Sequence, residues 1–365
     1  MVPAVRWLIV AAVATVLAAA PSIVRAIPPH DTQISATALA ARIQKAHSTG
    51  WSGEVTSLGS LQVPVDTSTF SGVSRLLGES TDLRVWWRGA SEWRLDRMRG
   101  TGESDLVRDG GLVVRWTYEG QRVNFTPYSP IRLPNDADVV PVELAHRMLS
   151  GARASELSRL SSRRIAGRSA AGLRLTPSDR RSTIARVDIW ADDASGVPLR
   201  VDVYGEGDRR PVLSTKVTSF DLGRPGRAET SFHLSSQLDF SRGVAIDTAA
   251  GANAFAPFLP PDRVADLARR GDAQDFGAVG VYGRGPTAIL AIPLRDYVAR
   301  GLRQQLRESN LSHDDGTRIG LEFGPISILL ADVAGGHFLV AGTVTPATLE
   351  QASKDLESGV IRKRR

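Results

Sequence analysis

The chain has 365 residues, a formal net charge of +6 at pH 7 and no cysteine. Its content of 42% hydrophobic and 23% charged residues is typical of a folded globular protein rather than a disordered or fibrous one. The missing cysteines exclude disulfides, thiolate metal sites, iron–sulfur clusters, a cysteine nucleophile and an acylated lipoprotein cysteine. Because the basic residues are scattered, apart from the run at 361–365, the charge predicts no nucleic-acid partner.

The first 26 residues predict export. Arg6 precedes an apolar run over residues 7–20, and Val24-Arg25-Ala26 has the pattern that a signal peptidase accepts. One prediction is a signal peptide, residues 1–26, cleaved after Ala26. The other is a retained membrane anchor, because residues 7–24 approach the shortest length that spans a bilayer. Both predictions place the rest of the chain outside the cytoplasmic membrane, in a periplasm-like space or secreted.

Residues 35–240 predict a first domain that is mostly antiparallel sheet. An amphipathic helix opens it over residues 35–47, where Leu39 and Ile43 follow a serine cap at helical spacing. Apolar and polar residues then alternate in segments separated by glycine-bearing turns, and two short helices interrupt the strands. The predicted strands cover residues 83–88, 92–96, 112–119, 122–126, 184–190, 197–204 and 212–220, and the two helices cover residues 142–149 and 154–160.

Residues 261–358 predict a second, smaller domain, followed by a basic tail over 359–365. The Ala-, Gly- and Pro-rich residues 241–260 form either a linker or an ordered crossover between the two domains. The predicted helices cover 261–270, 294–307 and a last segment that starts with Pro346 after a Thr345 cap, and the strands cover 278–282, 287–293, 318–323, 326–333 and 338–344. The predicted fold class is α+β: a large curved antiparallel sheet with few helices, then a smaller α+β domain.

The polar motifs predict no active site, no metal site and no cofactor. The adjacent residues 313–315 (His-Asp-Asp) cannot all face one ion, so a surface loop is predicted there. Asp192 and Asp193 lie in a glycine-containing loop, which favours solvated turn residues over a catalytic carboxylate pair. Residues 283–285 (Gly-Arg-Gly) lead through a proline into a strand, which predicts a hairpin turn rather than a dinucleotide loop. The chain is therefore predicted not to be an enzyme.

The tryptophans are the most informative feature, because six of the seven lie between residues 51 and 190. An aromatic sheet face with few helices over it forms either a filled core or a partly open pocket for an apolar ligand, and the pattern leaves both alternatives open. Residues 70–77 are either a lid over that face or an ordinary loop helix. The predicted lining of the pocket consists of Leu83, Val85, Trp87, Trp93, Leu95, Val114, Trp116, Tyr118, Phe125, Val187 and Ile189.

Short aromatic motifs in residues 35–240 resemble those of the lipoprotein-carrier half-barrel superfamily, which includes LolA-type carriers and RseB-like (MucB/RseB) regulators of sigma factor activity. The motifs are LRVWWR (83–88), EWRLD (92–96), LVRDG (106–110) with VRWTY (114–118), and VDIWAD (187–192) with GVPLRV (196–201). LolA-type carriers are single half-barrels, whereas RseB-like proteins carry a smaller C-terminal α+β domain. The order of the two domains therefore resembles an RseB-like protein, of the actinobacterial type.

The resemblance implies an extracytoplasmic, non-enzymatic binding protein that holds a lipid or a lipoprotein acyl chain in a half-barrel cavity. The alternative that it implies is a regulatory protein that binds the outer segment of a membrane anti-sigma factor, or a similar regulator, in envelope-stress signalling. The expected partners are thus an acyl chain or a membrane regulator, with membrane association through residues 1–26.

Overall fold

The structure, a computed structural model, describes residues 32–61, 71–100, 102–232, 251–252, 255–256, 258–271, 277–309, 312–333 and 336–362. In these residues the chain forms one antiparallel sheet of eleven strands and one of six. The predicted α+β class, with the larger sheet first, is confirmed. The predicted export segment 1–26 and most of the predicted linker lie outside the described residues. None of the helices that are described has the length and apolar character needed to cross a membrane.

The large sheet joins two meanders through its central strands. Its strands are β1 Trp51–Gly59, β2 Ser80–Gly89, β3 Glu92–Arg99, β4 Gly102–Asp109, β5 Leu112–Thr117, β6 Arg122–Pro127, β7 Leu157–Ile165, β8 Arg168–Leu175, β9 Ile184–Asp192, β10 Pro198–Gly205 and β11 Leu213–Leu222. The strand order is β6-β5-β4-β3-β2-β1-β11-β10-β9-β8-β7. The first and last strands in the chain are therefore neighbours, and β6 and β7 are the edges.

Two helices cover one face of this sheet: α1 (Ala36–Lys45) and α3 (Pro141–Met148). The Ser35 hydroxyl accepts the amide of Ala38, which caps α1 as predicted, and α3 begins with a proline at its first turn. A short helix α2 (Ser71–Gly78) packs on β1 with Leu76 buried in the core, so residues 71–77 of the predicted segment are helical; Phe70 itself lies outside the described residues. The short helix α4 (Arg227–Thr230) follows β11.

The helix predicted over residues 154–160 is wrong. Only Ala154–Glu156 form a helical turn, of the 3-10 type, and Leu157 already begins the edge strand β7. This edge strand is half-exposed along most of its length and shows no apolar–polar alternation, so its sequence carries no strand signal. The spacing of Leu157 and Leu160 therefore resembled a helix.

The smaller sheet has the order β15-β16-β20-β19-β18-β17. Its strands are β15 Gly280–Arg284, β16 Thr287–Leu294, β17 Ser312–Asp314, β18 Arg318–Phe323, β19 Ile326–Val333 and β20 Gly336–Gly342; short pairs are β12 Phe258–Leu259 with β21 Ile361–Arg362, and β13 Arg263–Val264 with β14 Leu267–Ala268. Its two helices are α5 Asp296–Glu308 and α6 Pro346–Gly359.

The helix predicted over residues 261–270 is also wrong, because this segment is the β13–β14 hairpin. Ala265 and Asp266 turn the chain with positive φ angles of 45° and 58°. The Asp355 carboxylate on α6 accepts the amide of Ala265 at 2.6 Å, so a tertiary contact holds the turn. Val264 and Leu267 had the spacing of a helix face, but here they are buried neighbours across a tight turn.

The two sheets are joined by direct contacts. Ser182, just before β9, forms a β-bridge with Val344, and the amide of Thr345 donates to the Arg181 carbonyl at 2.9 Å. The Thr183 hydroxyl donates to the Pro325 carbonyl at 2.5 Å. Buried residues of α1, α3, α5 and both sheets belong to one continuous core. The smaller sheet is therefore packed onto the larger one in a defined position.

A buried ion pair completes this junction. Both nitrogens of the Arg284 fork donate to the Glu156 carboxylate at 2.6 Å, and the Glu156 side chain is 1% exposed. The hydrogen bonds from Arg284 outweigh burial and hold the pKa of Glu156 well below its ordinary value. The hairpin predicted at residues 283–285 is confirmed: Arg284 ends β15 and pairs with Thr287, and the turn lies at residues 285–286. A side chain at Gly285 would lie 2.7 Å from the Met148 carbonyl oxygen, so the close approach requires glycine.

Candidate functional site

The strand register divides the predicted ligand residues between the two faces of the large sheet. Trp87 pairs with Trp93 and Val85 with Leu95, and Leu95 continues through Leu106 to Arg115. Directly opposed residues of antiparallel strands point to the same face. The neighbours of Arg115 on β5, Val114 and Trp116, therefore point to the face opposite Leu95. The eleven predicted residues do not line one cavity.

Seven of them lie on the face covered by α1 and α3, which we call the core face. None of the seven is more than 3% exposed: Leu83, Val85, Trp87, Trp93, Leu95, Val187 and Ile189. The rings of Trp87 and Trp93 lie parallel with centroids 6.1 Å apart, and the Trp87 indole donates to the His47 carbonyl at 3.0 Å. These side chains belong to one core with the two helices. In the described residues, the core face is filled by protein.

The other four predicted residues lie together near the β6 edge on the opposite face. With two buried neighbours they form what we call the edge patch: Val107, Val114, Trp116, Tyr118, Val123 and Phe125. Tyr118 is 61% exposed, and Trp116 and Phe125 are half-buried. Trp116 and Tyr118 meet edge to face with centroids 5.5 Å apart, and Phe125 meets Phe232 in the same way at 6.4 Å. The edge patch therefore presents aromatic surface to solvent.

A carboxylate cluster that the sequence reasoning missed borders the edge patch. Asp96, Glu103 and Asp105 each place an oxygen within 4.8 Å of the others, a spacing that would suit a metal ion. The Arg94 guanidinium donates to Asp96 at 2.6 Å and to Asp105 at 2.8 Å, so the positive group that these two carboxylates contact is an arginine side chain. Burial and repulsion by Asp96 raise the pKa of Asp105 to about 7, despite the attraction of Arg94.

A second missed network joins the end of α1 to α3. His47 and Glu143 are 2.8 Å apart, and the His47 ring stacks on His146 with centroids 4.0 Å apart. Burial opposes ionisation of Glu143, but the hydrogen bond from His47 and the charge of Arg147 prevail and lower its pKa to about 2. Burial and the charge of His47 lower the pKa of His146. The network fixes the two helices over Trp87. Its residues come from distant segments of the sequence, which is why no local motif revealed it.

The polar loops are structural. The surface loop predicted at residues 313–315 is only partly confirmed, because His313 and Asp314 belong to the edge strand β17 and pair with β18. The turn begins at Asp315, which accepts the amides of Thr317 and Arg318, and Asp314 pairs with Arg307 at 2.8 Å. Asp192 departs from the prediction of a solvated turn residue, because it is 2% exposed. Its carboxylate accepts from Arg168 at 2.9 Å and from the Ser195 amide at 2.9 Å. Asp192 thus holds the β9–β10 turn together.

Comparison with known proteins gave matches among solved structures only; no protein-family model and no curated protein matched the chain. The chain is similar to MucB in complex with MucA(peri), with 16% identity over 90% of this chain and 100% of that chain and a TM-score of 0.48. It is similar to the MucA/MucB complex of Pseudomonas aeruginosa, with 16% identity, 90% and 99% coverage and a TM-score of 0.49. It is also similar to a LolA superfamily protein of Nitrosomonas europaea, with 12% identity, 55% and 98% coverage and a TM-score of 0.25. At identities of 12–16%, the likeness concerns the fold alone.

Proposed function

We propose that this chain is a non-enzymatic, extracytoplasmic binding protein whose partner is a polypeptide that contacts the edge patch. One observation carries the proposal: Trp116, Tyr118 and Phe125 remain accessible on a sheet whose other aromatic face is covered by helices. Accessible Trp and Tyr side chains are the groups most often central to protein interfaces. The export pattern in residues 1–26 supports the extracytoplasmic location.

A polypeptide partner is favoured over an acyl chain because of the core face. Each CH2 group that a bound acyl chain buries contributes about 0.8 kcal/mol, but only if the chain finds apolar surface that is not already buried. In the described residues that surface is occupied by α1 and α3, and the Trp87 indole is bonded to His47. Binding of an acyl chain on the core face therefore requires that both helices move away from the sheet.

The motif resemblance supplies the class of partner. RseB-like proteins bind a regulator in the membrane, so we propose the outer segment of an anti-sigma factor or a similar membrane regulator as the polypeptide. The packing of the smaller sheet on the larger one, through Glu156 and Arg284, supports a single body that presents one surface to such a partner.

Photo-crosslinking in the native host tests the proposal. The photoreactive residue p-benzoylphenylalanine replaces Tyr118 in one variant and Tyr297 in a matched control, because Tyr297 is 67% exposed but lies on α5, in a different part of the fold. We expect a protein adduct at position 118 that is absent at position 297, identified by mass spectrometry. Adducts at both positions, or none at position 118, contradict the proposal.

Lipid analysis of the purified protein provides the second arm. We expect no stoichiometric lipid in an organic extract and no saturable binding of a dansylated fatty acid. Copurified lipid, with lipid adducts from p-benzoylphenylalanine at position 118 or at Trp93, would instead establish the acyl-chain carrier that the resemblance also implies.

A further inference from the structure

The edge strand β6 of the large sheet leads to a further inference, which rests on the proposed function. β6 pairs with β5 without any shift in register. The Tyr128 amide just after β6 donates to the Gly111 carbonyl at 2.8 Å, so the amides at alternate positions before it, including Asn124, also face β5. The amides and carbonyls of Val123 and Phe125 consequently point away from the sheet. They have no hydrogen-bond partner among the described residues.

The opposite edge of the sheet differs. β7 pairs with β8 through an irregular register between Leu160 and Arg163, and the Ser161 carbonyl accepts the indole N–H of Trp190. Bulges and capped carbonyls protect an edge strand against pairing with another chain. β6 lacks an interruption of this kind up to Pro127, whose missing N–H lies on the open side. The two edges are therefore not equivalent, and β6 is the one suited to accept another strand.

The side chains around β6 differ between the two faces. Val123 and Phe125 belong to the apolar edge patch. On the opposite face Arg122 pairs across the ladder with Thr117, and Asn124 pairs with Arg115. Arg122 is exposed and has no ion pair within the described part of the chain, and the Arg115 side chain is 40% exposed. Arg115 lies 3.8 Å from the Asp136 carboxylate, which Arg97 approaches more closely at 3.3 Å.

We infer that β6 binds an extended peptide segment as an additional strand, and that this segment alternates apolar and acidic side chains. Its backbone would pair with the open groups of Val123 and Phe125. Because side chains of a strand alternate between faces, its apolar residues would contact Trp116 and Phe125, and its acidic residues would meet Arg115 and Arg122. Backbone pairing supplies the affinity in this mode of recognition, and the two faces supply the sequence preference. The segment of the partner that β6 recognises would therefore be a strand of about six residues, the length of β6, in which apolar and acidic side chains alternate.

A synthetic probe tests the backbone requirement. The probe is a fluorescein-labelled peptide of alternating glutamate and valine, and its binding to the full chain is followed by fluorescence polarisation. One control peptide has the same composition with all glutamates first, and another carries N-methyl groups on alternate amides. We expect both controls to bind at least about tenfold more weakly than the probe. Absence of probe binding at about millimolar protein, or equal binding of the N-methylated peptide, overturns the inference.

Two substitutions at one position separate the backbone from the ring. Phe125→Ala removes the aromatic side chain, and Phe125→Pro removes the ring and also the outward N–H. We expect Phe125→Pro to bind the probe several-fold more weakly than Phe125→Ala, with circular dichroism confirming that both variants are folded. Equal affinities of two folded variants contradict the added strand; should Phe125→Pro not fold, the N-methylated probe still decides the matter.

Charge reversal tests the sequence preference. The double variant Arg115→Glu, Arg122→Glu should lose about tenfold in affinity for the glutamate probe and gain affinity for a probe in which lysine replaces glutamate. A loss without this rescue refutes the assignment of the acidic side chains. The probe tests can fail while a protein partner is still crosslinked at position 118. That result would contradict only the added strand and leave the proposed function intact. Loss of both would remove the proposed function as well.

Discussion

The two faces of the large sheet carry similar aromatic residues in different environments. On the core face, Trp87 and Trp93 are stacked and buried beneath two helices. On the opposite face, Trp116 and Tyr118 meet edge to face and remain partly open to solvent. The difference teaches that the aromatic content of a strand does not decide its role. The elements that lie over the strand decide it.

Those covering elements have identifiable origins. α1 and α3 reach the core face because Leu39, Ile43 and Leu144 are buried there and because His47 bonds to Glu143. On the opposite face, Phe232 in the short segment that follows β11 contacts Phe125. One face therefore contributes its apolar surface to the stability of the fold, and the other retains surface for a partner.

Paired tryptophan substitutions should reveal the largest difference. Trp87→Ala removes a fully buried ring and should lower the free energy of unfolding by about 3–5 kcal/mol. Trp116→Ala removes a half-buried ring and should cost no more than about 1–2 kcal/mol. Urea denaturation followed by circular dichroism measures both. Equal losses would show that the two faces contribute alike.

The core face also depends on the smaller sheet, since one core runs through both. Arg284→Ala leaves the Glu156 carboxylate buried without its guanidinium and should cost about 3 kcal/mol. Arg303→Ala is the matched control, because its partner Asp332 is 44% exposed and surface pairs contribute less than about 1 kcal/mol. Thermal unfolding of both variants compares them. A control that is destabilised as much as Arg284→Ala would contradict the role assigned to the buried pair.

Asp105, which lies on the face opposite the core face, should make the stability of the protein depend on pH. The pKa of Asp105 is about 7 in the folded protein and 3.8 ordinarily, so the folded state holds the proton more tightly than the unfolded chain. The contribution of Asp105 to the free energy of unfolding is therefore fully present below about pH 4 and is lost as the pH rises to about 7. Because this loss is about 1.4 kcal/mol per pH unit between pH 5 and pH 7, Asp105→Asn should stabilise the protein at pH 8 by about 2–3 kcal/mol more than at pH 5, as measured by denaturation at both values. The exposed Asp109→Asn, which removes a carboxylate outside the cluster, is the control, and an equal pH-dependent gain in both variants would contradict the role of Asp105.

The smallest change in stability is expected at Tyr118. Tyr118→Ser alters an exposed side chain and should shift the free energy of unfolding by less than about 0.5 kcal/mol, as should the control Tyr297→Ser. Only the former should weaken binding of the glutamate–valine probe. If Tyr118→Ser lowers the free energy of unfolding but leaves probe binding unchanged, the edge patch stabilises the fold and does not bind the probe.

The apolar–polar alternation allowed seven of the eleven strands of the large sheet to be predicted, and the four that were not predicted are β1, β4, β7 and β8. The alternation of Leu83, Val85 and Trp87 on β2 matches the buried positions of that strand. What alternation cannot supply is the face, because the apolar residues of β5 occupy the side opposite those of β3. Only the pairing of Leu95 with Leu106, and of Leu106 with Arg115, reveals the change. The prediction assumed one apolar face along the whole sheet, and this sheet is apolar on different faces in different places.

The polar sites show the same limit. The turn at residues 283–285 could be predicted from its two glycines and the proline that follows, but not the partner of Arg284, because Glu156 lies in a distant part of the chain. The helix predicted over residues 154–160 fails for a related reason. Glu156 ends the 3-10 turn, and its carboxylate accepts the Ser178 amide and the Arg284 guanidinium, so tertiary contacts end the helical segment at this residue. Local spacing predicts elements whose contacts are local, and it misses those that a tertiary contact fixes.

The neighbouring positions of β1 and β11 have a consequence for the order of folding. The hairpins from β2 to β6 pair with strands that follow them closely, so they can form as soon as that part of the chain is available. β1 must keep one side unpaired until residues beyond Leu213 have been made, since β11 is its second neighbour. Closure of this central ladder is a late, long-range step, and the chain is most exposed to aggregation before it occurs.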